Sequence, residues 1–178
     1  MKNTNRMTFE DLEAWQQARQ LVNAIYTLTR AGNLVNDFRL CSQVQAAGVS
    51  IMSNVAEGFE RSHLQEKLQF YNVARGSNGE VRSLLYVISD NFPQSTKEAE
   101  ALRAVTNAVG KLISGLLQST EARKGKIRAM LFVALAPIFQ LLAPRFLDGR
   151  HHEPPNSHLS VSGFQLFLIL SLERRISD

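Results

Sequence analysis

Residues 43–61 read QVQAAGVSIMSNVAEGFER, and the fold turns on how this stretch is understood. With Ser42 before it, the run is dense in small residues: Ala46, Ala47, Gly48, Ser50, Ser53, Ala56 and Gly58. It predicts a helix from about Phe38 to Phe59 whose neighbours approach closely. Gly48, in mid-helix, costs about 1 kcal/mol against alanine. A residue that weakens its own helix points to packing.

Outward from this helix the same periodicity repeats. Upstream, Phe9, Leu12, Trp15, Val22, Ile25 and Tyr26 recur at three- and four-residue spacing, as one buried stripe requires. Thr8 is placed to cap that helix. Glu10, Asp11 and Glu13 put negative charge at the positive end of its dipole. Gly32 supplies a left-handed stop. Downstream, a helix is expected over Leu64 to Ser89, with Phe70, Val73, Ala74, Val81, Leu84, Leu85 and Ile88 inward. Asn91-Phe92-Pro93 ends it, because a residue before proline resists helical geometry. A fourth starts at Ser95 or Thr96 and carries Leu102, Val105, Val109, Leu112, Ile113, Leu116 and Leu117 to about Gln118. Four amphipathic helices with short links read as an all-α, antiparallel up-down four-helix bundle over residues 1–122.

From Glu121 the composition changes, so residues 123–178 read as a C-terminal extension. Ala129 to Pro144 is nearly all apolar, though Pro137 and Pro144 interrupt it. Leu159 to Leu172 is a second apolar run, and DGRHHEPPNSH links the two. Each falls short of the roughly 20 residues that span a bilayer. A buried helix, an interfacial segment and a helical hairpin dipping into membrane are all compatible with them.

Apolar residues at 44% and charged residues at 20% place the chain among globular proteins. The net charge is +4, but residues 1–120 carry 12 Lys/Arg against 11 Asp/Glu, and residues 121–178 carry 8 against 5. By count, the bundle lacks the clustered basic face of a strong nucleic-acid binder. The one cysteine, Cys41, excludes an internal disulfide and any cysteine-cluster metal site. The N-terminal stretch has no apolar h-region, so a reducing cytoplasm is expected.

Candidate chemistry concentrates on the second and third helices. Ser50, Asn54, Glu57 and Arg61 share one helical face, and Arg75, Ser77, Glu80 and Arg82 cluster around Gly76 and Gly79. Glu57 and Glu80 are the pair that acid–base or metal chemistry would use. Bundle di-metal sites, however, require Glu-x-x-His motifs. These two helices carry only His63 and no such motif. Ser50 and Ser77 have no neighbouring histidine to act as base. Gly76-Ser77-Asn78-Gly79 lies mid-helix without the strand and Lys-Ser/Thr step of a phosphate loop. His151, His152 and His158 fall in the proline-containing link, without the oriented partners a metal site needs. The reading is therefore no catalytic residue, no metal and no cofactor. Ser50, Asn54, Glu57, Ser77 and Glu80 form a polar network between helices.

Three stretches also resemble a known family: DLxxWQxA over Asp11 to Ala18, SxxSNxAEGFxR over Ser50 to Arg61, and AxGSxxE over Ala74 to Glu80. They are similar to the four-helix-bundle proteins encoded in intervening sequences of bacterial 23S rRNA genes. The accessory variability protein of diversity-generating retroelements looks like a relative. The resemblance covers about residues 8 to 120. It implies an antiparallel bundle that assembles as a homopentamer without enzymatic activity. For the retroelement relative it implies binding to reverse transcriptase and nucleic acid through a basic surface. Family members usually carry basic residues just before the SxxSN stretch, where this chain has Gln45 and Ala46, and the family normally ends soon after the fourth helix, before the residues from about Arg123 onward. On this reading the protein is an oligomeric RNA-, DNA- or reverse-transcriptase-associated accessory, with Arg19, Arg61, Lys67, Arg75 and Arg82 as candidate contacts. The alternative is a purely structural oligomer whose tail docks on protein or membrane.

Overall fold

Backbone chemistry at the helix ends sets the architecture. The computed structural model describes the backbone of residues 7–147 and the side chains of residues 7–136. Among these, four α-helices follow one another with no strand: α1 (Glu13–Thr29), α2 (Phe38–Glu60), α3 (Leu64–Asn91) and α4 (Thr96–Leu147). Asp37 caps α2 by accepting the Leu40 N–H at 3.0 Å. Gly32, at φ +57°, occupies the left-handed region and opens the turn after α1, as its residue type predicts. Short links return each helix against its predecessor, and the result is the expected up-down bundle.

One start differs from expectation. Thr8 does not cap α1. Its N–H donates to Asp11 Oδ2 at 2.8 Å and holds a 3-10 turn over Phe9–Asp11, and α1 begins only at Glu13. The turn is fastened to the helix by the Phe9 and Trp15 rings, edge to face at 5.2 Å, and by Gln16 Nε2 donating to the Glu10 carbonyl at 2.8 Å.

The core is a ladder of three- and four-residue steps on every helix. Ala18, Leu21, Ile25 and Leu28 of α1 meet Val44, Ile51 and Val55 of α2. Leu68, Tyr71, Ala74, Val81, Leu85 and Ile88 of α3 and Leu102, Val109, Ile113 and Leu117 of α4 complete it. Phe70 and Val73, expected inward, fall beside this ladder; Leu68 and Tyr71 take the core positions. Val73 is exposed, and Phe70 is half-buried beneath Arg61. Glycine permits two close approaches. A Cβ at Gly58 would lie 2.5 Å from Tyr71 Cε1, and one at Gly48 would lie 2.9 Å from Ile25 Cδ1. Gly76 and Gly79 have no such neighbour, so the pinch between α2 and α3 belongs to Gly58.

α4 does not stop near Gln118 but continues to Leu147. Its continuation through EARKGKIRAMLFVALA is mostly alanine, leucine, methionine, lysine and arginine, which favour helix whether or not they are buried. The compact unit that contains the bundle runs Met1–Phe132, and a second unit runs Val133–Asp178. His151, His152, His158 and the run Leu159 to Leu172 lie outside the described residues. No helix among the described residues is long and apolar enough to cross a membrane.

Candidate functional site

The small residues that bring α2 and α3 together also join their polar groups. Ser50 Oγ lies 2.8 Å from Ser77 Oγ across the interface. Asn54 Nδ2 donates to the Ser50 carbonyl at 2.7 Å and to Ser50 Oγ at 3.1 Å. These three half-buried side chains are the centre of the predicted network. Hydrogen bonds of this type contribute about 1 kcal/mol each, and more is lost when a buried partner is stranded.

The two carboxylates lie outside that centre. Glu57 is exposed and pairs with Arg61 at 3.1 Å, four residues on. Glu80 is exposed and accepts from Gln43 Nε2 at 3.4 Å. Each has a separate surface partner, so neither is buried with the other as joint acid–base chemistry would need. Among the described residues no group of three or more His, Cys, Asp or Glu is placed to hold a metal.

The candidate cations are dispersed, with one gathering. Arg19 lies over the Trp15 ring at 5.7 Å, Arg82 donates to Asn107 Oδ1 on α4 at 3.1 Å, and Arg75 is exposed on α3. Arg61 lies over Phe70 at 4.6 Å. Lys67 reaches back from the first turn of α3 to donate to the Gly58 carbonyl at 3.1 Å and to that of Phe59, so it caps the C-terminal end of α2. Burial holds the Lys67 ammonium below the usual lysine range, the Arg123 charge pushes it the same way, and Glu60 partly opposes them. Arg123 therefore belongs to this end of the bundle, as does Lys124, which donates to Gln65 Oε1. Counting charge by sequence segment assigns both cations to the tail. The helical continuity of α4 brings them back to the α2–α3 turn.

One further residue escapes a sequence reading based on apolar stripes. Asn78 sits at a core position of the α3 ladder and is only 7% exposed; its Nδ2 donates to the Thr106 carbonyl of α4 at 3.0 Å. Its Oδ1 has no hydrogen-bond partner. Gly110 makes room for this amide, since a Cβ there would lie 2.9 Å from Nδ2. Beside it an open polar groove of about 620 Å³ runs between α3 and α4, lined by Arg82, Asn107, Lys111, Ser114 and Gln118 among others. Cys41 is buried, and its thiol donates to the carbonyls of Leu34 at 3.2 Å and Thr29 at 3.6 Å. Burial, with the Asp37 charge second, pushes this thiol above the usual range, which is the opposite of what a nucleophile needs.

Fold and surface together define an all-α bundle protein with a serine–asparagine seam and a basic end. Residues 10–115 match the 23S rRNA-intervening sequence protein family, and the chain belongs to that family. No curated protein matches it.

Proposed function

We propose that this protein is a non-catalytic cytoplasmic accessory that assembles from several copies and holds RNA, DNA or a nucleic-acid enzyme such as a reverse transcriptase. One observation carries the reading: Arg61, Lys67, Arg123 and Lys124, drawn from three helices, meet at one end of the bundle. Bringing cations together against their mutual repulsion is unfavourable alone, and a phosphate backbone relieves it while releasing counterions. Membership of a family named for ribosomal RNA genes fits this partner class. Self-association into a pentamer, as the family resemblance implies, would repeat the basic end around a ring. Exposed apolar side chains such as Phe38 on α2 and Tyr86 on α3 offer area for it.

A gel-shift series with single-stranded RNA tests the reading. Binding at low salt is expected, with affinity falling as a power of salt concentration. Each phosphate contact contributes about 0.7 to the log–log slope, so Arg61→Gln with Arg123→Gln lowers the slope by about 1.4. Absence of any shift at low salt removes direct nucleic-acid contact and leaves only a protein partner.

A further inference from the structure

Beyond the bundle's end, α4 carries an exposed stretch of a different kind. Lys124 touches Gln65, next to the first residue of α3, so the residues after it continue past the end of the α2–α3 hairpin. Ile127, Met130, Leu131 and Phe132 are all exposed, Met130 at 73% and Phe132 at 59%; Val133 and Leu135 are exposed as well. At 100° per residue, Ile127, Ala129, Met130, Leu131 and Phe132 point to every side of the helix axis, not to one stripe. Lys126 and Arg128 stand at the start of this stretch, and Arg123 and Lys124 one turn earlier.

These observations choose between occupants. A groove on a protein, including a second copy of this chain, covers one side of a helix and calls for a one-sided apolar stripe. A helix apolar all round needs an apolar medium on every side, which the hydrocarbon of a bilayer supplies. Four cations within six residues at its base match the anionic headgroup layer that such a helix would pass. We infer that this part of α4 inserts into one leaflet of an anionic phospholipid bilayer. Arg123, Lys124, Lys126 and Arg128 lie at the phosphate level, Ala129 to Phe132 lie below it, and the bundle stays in water. The inference shares Arg123 and Lys124 with the nucleic-acid reading but rests on exposed apolar side chains that reading does not use.

Co-sedimentation of the full chain with vesicles tests it. Vesicles of phosphatidylcholine are compared with vesicles in which about one-third is phosphatidylglycerol. The full chain is expected to pellet with the anionic vesicles and much less with the neutral ones. Lys126→Gln should weaken binding about fivefold, and Met130→Glu with Phe132→Glu should lower it at least about 100-fold. Both apolar side chains are exposed, so an unchanged thermal melt of the double variant controls for folding. A full chain that stays in the supernatant with both vesicle types overturns the inference. So does a double variant that pellets as well as the parent. If the double variant instead lowers the solution mass, with no vesicle binding by the parent, a second copy covers this stretch and the lipid assignment is wrong.

Discussion

Gly58→Ala should destabilise the protein even though it replaces glycine by the best helix former. Gly58 lies in the last turn of α2, where its missing side chain accommodates the Tyr71 ring. A Cβ would meet Tyr71 Cε1 at 2.5 Å, Cδ1 at 2.7 Å and Cζ at 3.1 Å, whereas ordinary contact begins at 3.4 Å. The ring must therefore retreat by about 0.9 Å, and at 3% exposure it has core on its other side. Overpacking of this kind costs about 1–3 kcal/mol. Helix propensity returns at most about 1 kcal/mol. The net loss, up to about 2 kcal/mol, corresponds to a melting temperature lower by up to about 10 °C for a domain of this size. Gly76→Ala is the matched control, because nothing lies within 4 Å of its Cβ position. It should raise the melting temperature by about 2–5 °C. Both are read by circular dichroism at one protein concentration, since self-association makes melting concentration-dependent. If Gly58→Ala stabilises as much as Gly76→Ala, the Tyr71 ring is not what Gly58 serves, and the account of the α2–α3 pinch is wrong.

Three further outcomes follow from the seam and the core. Ser50→Ala and Ser77→Ala should each cost about 1 kcal/mol, and the double variant clearly less than the sum, because either change breaks the same 2.8 Å contact; an additive double-mutant cycle in urea would contradict the pairing. Burial pushes the Tyr71 phenol up. The unfolded chain therefore ionises first, and the stability this group contributes is complete below the ordinary tyrosine pKa and lost as pH rises through its folded value. Melting temperatures between about pH 8 and 11 should fall less steeply for Tyr71→Phe than for the parent, and parallel curves would exclude this role. Cys41, buried and bonded to two carbonyls, should react with iodoacetamide only at the rate of unfolding. Fast alkylation under native conditions would show an accessible thiol.

Four inward stripes were legible as residue spacing because burial of one face is what such spacing reports. The ends of α1 and α3 were equally readable from Gly32 and Pro93. Register was harder. Phe70 and Val73 are apolar yet lie one position beside the α3 ladder, which passes through Tyr71, Ala74 and Asn78. Asn78 lies in step with Ala74 and Val81, so spacing alone marks it once polarity is set aside. Its contact with Thr106 depends on another helix and has no local signal. The continuation of α4 was hidden by the composition change at Glu121 and by Pro137, although the residues between are strong helix formers. That one difference decided the charge assignment, since Arg123 and Lys124 reach the α2–α3 turn only along an unbroken helix. Ser50 and Asn54 share a face of α2, and Ser77 meets Ser50 from α3. Glu57 and Glu80 share the sequence neighbourhood but stand at the water-facing edge.

The proposed scaffold role is tested most directly by light-scattering mass of the full chain, alone and with single-stranded RNA, across a salt series. A ring of five 19.9-kDa chains, about 100 kDa, is predicted, gaining the mass of bound RNA at low salt and losing it as salt rises. A stable 19.9-kDa monomer whose mass RNA does not change at any salt would contradict it.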